Sequence, residues 1–135
     1  MPSIISDAFG PFGRNLEAMA RVRRAIRGAG HGTPVVAAGG IHGFRQAEDI
    51  LRSATADIVG AVRQSLADSH WFKKMRLGRG GEARNCEYTN YCEGPDQKHK
   101  MVTCKLWNRH GVDETSVRLT PDNKRRALAP PWGED

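Results

Sequence analysis

Residues 33–62, TPVVAAGGIHGFRQAEDILRSATADIVGAV, decide the fold. Two short apolar runs bracket this stretch: Val35-Val36-Ala37-Ala38 before the glycines, and Ile58-Val59-Gly60-Ala61-Val62 at the end. Neither run alternates with polar residues, which is the pattern of strands buried on both faces of a parallel sheet. Between them, Phe44 to Ser53 reads as a helix that buries Ala47, Ile50 and Leu51. Strand, helix and strand fit within the 28 residues from Val35 to Val62. That is close to the ~30 residues of a βαβ unit, whose right-handed crossover makes the strands parallel. The fold class is therefore α/β.

Upstream, Leu16, Met19, Ala20, Val22 and Ile26 recur at three- and four-residue spacings, so a helix with one apolar stripe is predicted there. Asn15 stands where an N-cap is expected, Glu17 suits the first turn, and Gly28 and Gly30 end the helix. Residues 1–14 carry Gly10, Pro11 and Gly13 and read as a loop. Downstream, Trp71 to Leu77 reads as a short helix stopped by Gly78, Gly80 and Gly81. All three cysteines follow within residues 85–110, and residues 111–135 read as a polar surface arm. This gives three segments: strand–helix units over 1–80, a cysteine-containing extension over 81–110, and the arm.

The 135 residues amount to one small domain. No run approaches the ~18 apolar residues of a membrane span. Residues 1–7, MPSIISD, lack a basic region followed by an apolar core, so a cytoplasmic location is expected. Three cysteines cannot close a disulfide set and are expected as thiols or metal ligands. The net charge of +6 raises the question of nucleic acid. Residues 1–62 hold seven Lys/Arg against five Asp/Glu, and residues 63–135 hold fourteen against ten, so the excess is diffuse. Arg21, Arg23, Arg24 and Arg27, and the cluster Lys124-Arg125-Arg126, read as solvated faces. Without a recognised binding motif, nucleic acid ranks last among the partners.

The strand ends carry the candidate chemistry. Gly39-Gly40 closes the first strand, where a glycine pair lets backbone N–H groups approach an anion. Arg63 follows the second strand, 23 residues after Gly40. Ligands of parallel α/β folds bind at the C-terminal ends of strands. Backbone donors beside a guanidinium, which can give a phosphate two parallel hydrogen bonds, would make a phosphate cradle. By spacing alone, a tight turn and a surface arginine explain the same residues. His42 and His70 read as exposed loop histidines, and Asp57 and Asp68 as capping or turn residues rather than catalytic acids.

The ordered motifs carry a resemblance. PVVAAGGI, AEDIL, DIVG, Arg63, LAD, the Lys-rich turn FKKMR, LGR and Cys86 follow one another over residues 33–86. The pattern, within about residues 15–110, resembles the end of the catalytic barrel in the old yellow enzyme-like NADH:flavin oxidoreductases. More narrowly it resembles the branch containing trimethylamine dehydrogenase and 2,4-dienoyl-CoA reductase. The resemblance implies the C-terminal portion of a TIM (β/α)8 barrel, its two strands being the seventh and eighth. It also implies that Gly39, Gly40, Val62 and Arg63 hold the phosphate of FMN, with NAD(P)H as a possible reductant. Many members have glycine where this chain has Val62, and proline where it has Gln64 and Ser69.

In the same branch a four-iron, four-sulfur cluster is bound by a C-x2-C-x2-C run and a fourth, later cysteine. Those positions read Cys86, Thr89, Cys92 and Cys104 here, so three thiolates are in register and the second is replaced. Such clusters take four thiolates, and threonine is not a comparable soft ligand. A degenerate site with free thiols is the preferred expectation. A three-thiolate cluster, and zinc held by the three cysteines with His99 or His110, stand as alternatives.

A complete β/α barrel needs ~250 residues, with ~200 as a floor. Two strand–helix units leave unpaired edges and are incomplete alone. The expectation is a C-terminal fragment or subunit of an FMN-dependent oxidoreductase, with the missing N-terminal barrel portion or another subunit as its partner. The family's ring-contacting and substrate-activating groups lie mostly on earlier strands, so no catalytic residue is assigned. The alternative is a non-catalytic remnant or interaction module that binds no flavin.

Overall fold

The computed structural model describes residues 12–108 and 115–133. His110 and parts of the two predicted terminal segments therefore lie outside the described residues. The chain divides into two compact units, Met1–Val62 and Arg63–Asp135.

In the first unit, helix α1 (Leu16–Gly28) leads to strand β1 (Val36–Ala38), helix α2 (Phe44–Arg52) and strand β2 (Ile58–Gly60). The strands pair in parallel, with Val36 opposite Ile58, Ala37 opposite Val59 and Ala38 opposite Gly60. The mixed α/β class and the parallel strand–helix–strand order follow the sequence reading. α1 packs on β1 and α2 on β2. Ala37, Ile41, Ile50 and Ala56 are buried between them.

Burial on both strand faces does not hold. Ala37 is fully buried, whereas its neighbour Val36 and the paired Ile58 are each 49% exposed. Successive strand residues point to opposite faces. The helices therefore cover the Ala37 face, and among the described residues no layer covers the Val36–Ile58 face. The stripe of α1 is likewise only half covered, with Val22 49% exposed, and Leu51 of α2 is exposed rather than buried.

Two local expectations are corrected by where polar side chains go. Asn15 precedes α1 but its side chain makes no capping bond; its amide instead donates to Ala38 O at 3.4 Å. Arg23 and Arg27 are not part of a solvated face, because both turn onto Asp57. Arg23 donates from Nε at 3.0 Å and Nη2 at 2.9 Å to Oδ1, and Arg27 Nη2 donates to Oδ2 at 2.9 Å. The Val35 N–H adds a fourth bond at 2.9 Å. Asp57 therefore ties α1 to the start of β1. The bonds from Arg23 above all hold its carboxyl down at about 2.

The second unit contains helix α3 (Val62–Ala67, beginning at the boundary), α4 (Trp71–Arg76), a 3-10 turn at Gly80–Glu82, α5 (Glu93–Gln97) and α6 (Lys105–Asn108). Its core is Ala67, Cys104 and Trp107, packed by Leu66, Cys86, Leu106 and Ala129. The Trp107 indole N–H donates to Leu66 O at 2.9 Å. Residues 115–133 include an antiparallel bridge between Leu119 and Arg126. Trp132 lies against Arg79 (4.7 Å) and Lys74 (5.1 Å) and donates to Glu82 Oε2 at 2.9 Å. This part of the arm is docked.

Candidate functional site

The glycine turn belongs to the first unit. Gly39 and Gly40 follow β1 directly with φ of +101° and +64°, a region that side chains disfavour and glycine enters freely. A Cβ on Gly39 would come within 2.8 Å of the Asn15 amide nitrogen. The turn is tied to α2 by Gln46, whose Nε2 donates to Gly40 O at 3.0 Å while its Oε1 accepts the His42 N–H at 3.1 Å. The first turn of α2 receives no side-chain cap from Gly43. His42 is exposed, as expected, with its ring 4.3 Å from that of Phe12.

Val62 and Arg63 open α3, which directly follows β2. Val62 is 80% exposed, so its side chain is not part of a core. The unit boundary falls between these two residues, and Arg63 takes its described contacts from the second unit. Its guanidinium lies 4.7 Å over the Tyr88 ring and makes a close hydrogen bond to Asn90 Oδ1. Tyr88 and Asn90 both have positive φ, 51° and 56°. Asparagine tolerates this region, whereas a bulky aromatic there is a genuine outlier.

The three cysteines lie in the same unit around a small cavity of about 20 Å³, lined also by Arg63, Tyr88 and Asn90. Cys104 is buried, Cys86 and Cys92 are half-buried, and Thr89 is exposed. Burial pushes the thiols of Cys86 and Cys104 up from their ordinary value. Gln64 fixes the start of the segment, its Nε2 donating to Arg84 O and its Oε1 accepting the Cys86 N–H, both at 2.9 Å. His99, one of the alternative zinc ligands, is exposed.

Sequence reasoning missed several of these partners. Asp68, expected as a capping or turn residue, accepts the His70 N–H at 3.0 Å. It is also completely buried against Lys74, which no motif singles out. His70 is half-buried rather than exposed, with its ring 5.6 Å from that of Trp132. Tyr88 and Asn90 could have been noticed only as an aromatic and a turn-former between two cysteines.

No protein-family profile matches the chain. Several curated proteins match part of it, two of them as follows. The bilirubin reductase of Mediterraneibacter gnavus (strain CC55_001C) is 30% identical over 96 residues, which is 70% of this chain and 15% of that protein. The N,N-dimethylglycine/sarcosine dehydrogenase of Chromohalobacter salexigens is 36% identical over 71 residues, 53% of this chain and 10% of that protein. Both are oxidoreductases, and this chain is distantly similar to a segment of each. It thus spans only about 15% and 10% of the lengths of these relatives. Among the described residues no helix is long and apolar enough to cross a membrane.

Proposed function

We propose that the chain is the phosphate-binding end of a flavin-dependent oxidoreductase barrel. The observation that carries the reading is a parallel β1–α2–β2 unit with two left-handed glycines at the C-terminal end of its first strand. In β/α barrels, phosphate sites recur at the loops after strands seven and eight and at the N-terminus of a short extra helix. Gly39-Gly40 follows β1, and Arg63 lies in a six-residue helix that follows β2. The oxidoreductase relatives and the motif order of residues 33–86 support the same assignment. So does the sheet: helices on one face and apolar Val36 and Ile58 on the other match a barrel wall, whose inner face is filled by side chains from the remaining strands.

In this reading the peptide N–H groups of the glycine turn and the Arg63 guanidinium hold the FMN phosphate. A guanidinium has five N–H donors and can serve more than one acceptor, so its bond to Asn90 is compatible with that role. Each suits a phosphate by its own chemistry: Gly39 and Gly40 with backbone that no side chain shields, Arg63 as a permanent cation. When bound, FMN would supply the redox chemistry, with NAD(P)H as reductant. The chain's own residues would bind and orient its phosphate tail. The partner is the rest of the barrel, whether in the same polypeptide or in another subunit.

The test compares FMN with riboflavin, which lacks the phosphate. Equilibrium dialysis of the chain should show FMN bound at least ~10-fold more tightly, the scale of one charge-assisted hydrogen bond. Arg63→Ala should erase the preference while leaving riboflavin unaffected. Equal binding of both flavins, or of neither, would leave the non-catalytic reading standing.

A further inference from the structure

The four positions that resemble a four-iron, four-sulfur site can be tested against the residues that occupy them. The second position is Thr89, whose hydroxyl is a hard, neutral donor at neutral pH, where such clusters take four thiolates. The three cysteines help to line a small pocket of about 20 Å³. A single water needs about 10–15 Å³, so the pocket is on the scale of a water molecule. Its wall carries a fixed cation, Arg63, already bonded to Asn90 and stacked on Tyr88. Cys86 and Cys104, which also line the pocket, pack with Ala67, Leu66, Leu106 and Trp107 in the apolar core.

We infer that the cysteine segment of this chain is a metal-free module, in which the Arg63 guanidinium and the Gln64 amide perform the bridging that an inorganic cluster would otherwise supply. Gln64 fixes the entry of the loop at Arg84 and Cys86. Arg63 fixes its middle at Tyr88 and Asn90, both of which have left-handed backbone. Left-handed backbone is unfavourable for a bulky residue such as Tyr88 and persists only where surrounding contacts enforce it. The inference stands independently of flavin binding.

The experiment is a metal and thiol inventory of the full chain, purified anaerobically and then incubated with ferrous iron, sulfide and a thiol reductant before desalting. Iron, zinc and acid-labile sulfide should all be far below one equivalent per chain, before and after incubation. All three thiols should titrate once the chain is unfolded in guanidinium. Stoichiometric iron and sulfide that survive desalting, with a broad visible absorbance bleached by reductant, would overturn the inference, and so would one equivalent of zinc. The bridging is tested by timed alkylation read by peptide mass spectrometry. Asn90→Gly keeps the left-handed backbone accessible and removes the acceptor, so alkylation of Cys86 should speed up about tenfold, the scale of one lost hydrogen bond to a charged group. An unchanged rate at Cys86 in both Asn90→Gly and Arg63→Gln would refute the bridging role.

Discussion

Lys74 Nζ lies 2.6 Å from Asp68 Oδ2, and the two side chains are only 2% and 0% exposed. Neither charge is left with a single partner. Lys74 also donates to Glu82 O at 3.0 Å, and Asp68 accepts the N–H groups of Arg84 at 2.9 Å and His70 at 3.0 Å. Burial alone would push the Asp68 carboxyl up; the bonds from Lys74, Arg84 and His70 outweigh it and leave it below the ordinary range. The pair thus pins α4 to the loop that leads into the cysteine segment. Removing one partner strands a buried charge, at about 3–5 kcal/mol. Asp68→Ala should lower unfolding free energy by that amount in urea titrations. The double replacement Asp68→Leu with Lys74→Met should recover most of it, because no buried charge is then left unpaired.

Asp57 predicts a specific acid limb. Its folded value of about 2 lies below the ordinary 3.8, so the folded state favours the carboxylate. The stabilisation is complete above about pH 4 and is lost as pH falls through about 2. Asp68, Glu82 and Asp122 are also lowered, so the intact chain loses stability from several groups in acid. Asp57→Asn should reduce the slope of stability against pH in that window by up to one proton, and leave the slope above pH 5 unchanged. Chemical denaturation at a series of pH values measures both.

The parallel unit was legible because its signal is local: two apolar runs of the right length, with glycines and a helix between them. What was not legible is what those runs face. The same apolar character makes Ala37 buried and Val36 exposed, because coverage depends on elements that sequence periodicity does not reveal. Side-chain destinations over long separations were equally hidden. Arg23 and Arg27 look like helix-surface cations, and only the fold brings Asp57, more than thirty residues away in sequence for Arg23, beneath them. Arg63 was legible as a residue after a strand. Its stacking on Tyr88 was not, since that contact depends on two left-handed residues in an irregular loop.

Gly39 offers a test of the glycine turn by backbone geometry alone. Its φ of +101° is strained for any side chain, and a Cβ would also crowd Asn15 at 2.8 Å. Gly39→Ala should destabilise the chain by about 1–3 kcal/mol. Gly43 is the control: its φ of −147° is ordinary extended backbone, and a Cβ there meets nothing within 4 Å. Gly43→Ala should change stability by less than about 0.5 kcal/mol. Thermal unfolding followed by circular dichroism separates the two, and equal effects would remove the case for a special turn at Gly39.

Val36 and Ile58 share one face of the sheet, are directly paired, and are each 49% exposed. A core residue exchanged for threonine loses its burial energy and strands a hydroxyl, whereas an exposed one loses little. Val36→Thr with Ile58→Thr should therefore shift the stability of the chain by less than about 1 kcal/mol, since surface changes fall within about 0.5 kcal/mol each. If this face is the inner wall of a barrel, the same substitutions should be costly once the rest of the barrel is present. Co-expression with the preceding barrel segment of a relative provides that comparison. Loss of co-purification in the double variant, against an unaltered melting temperature of the chain alone, is the expected result. A large loss of stability in the chain alone would instead show that the face is covered within this polypeptide, and would remove the open sheet as support for a missing barrel wall.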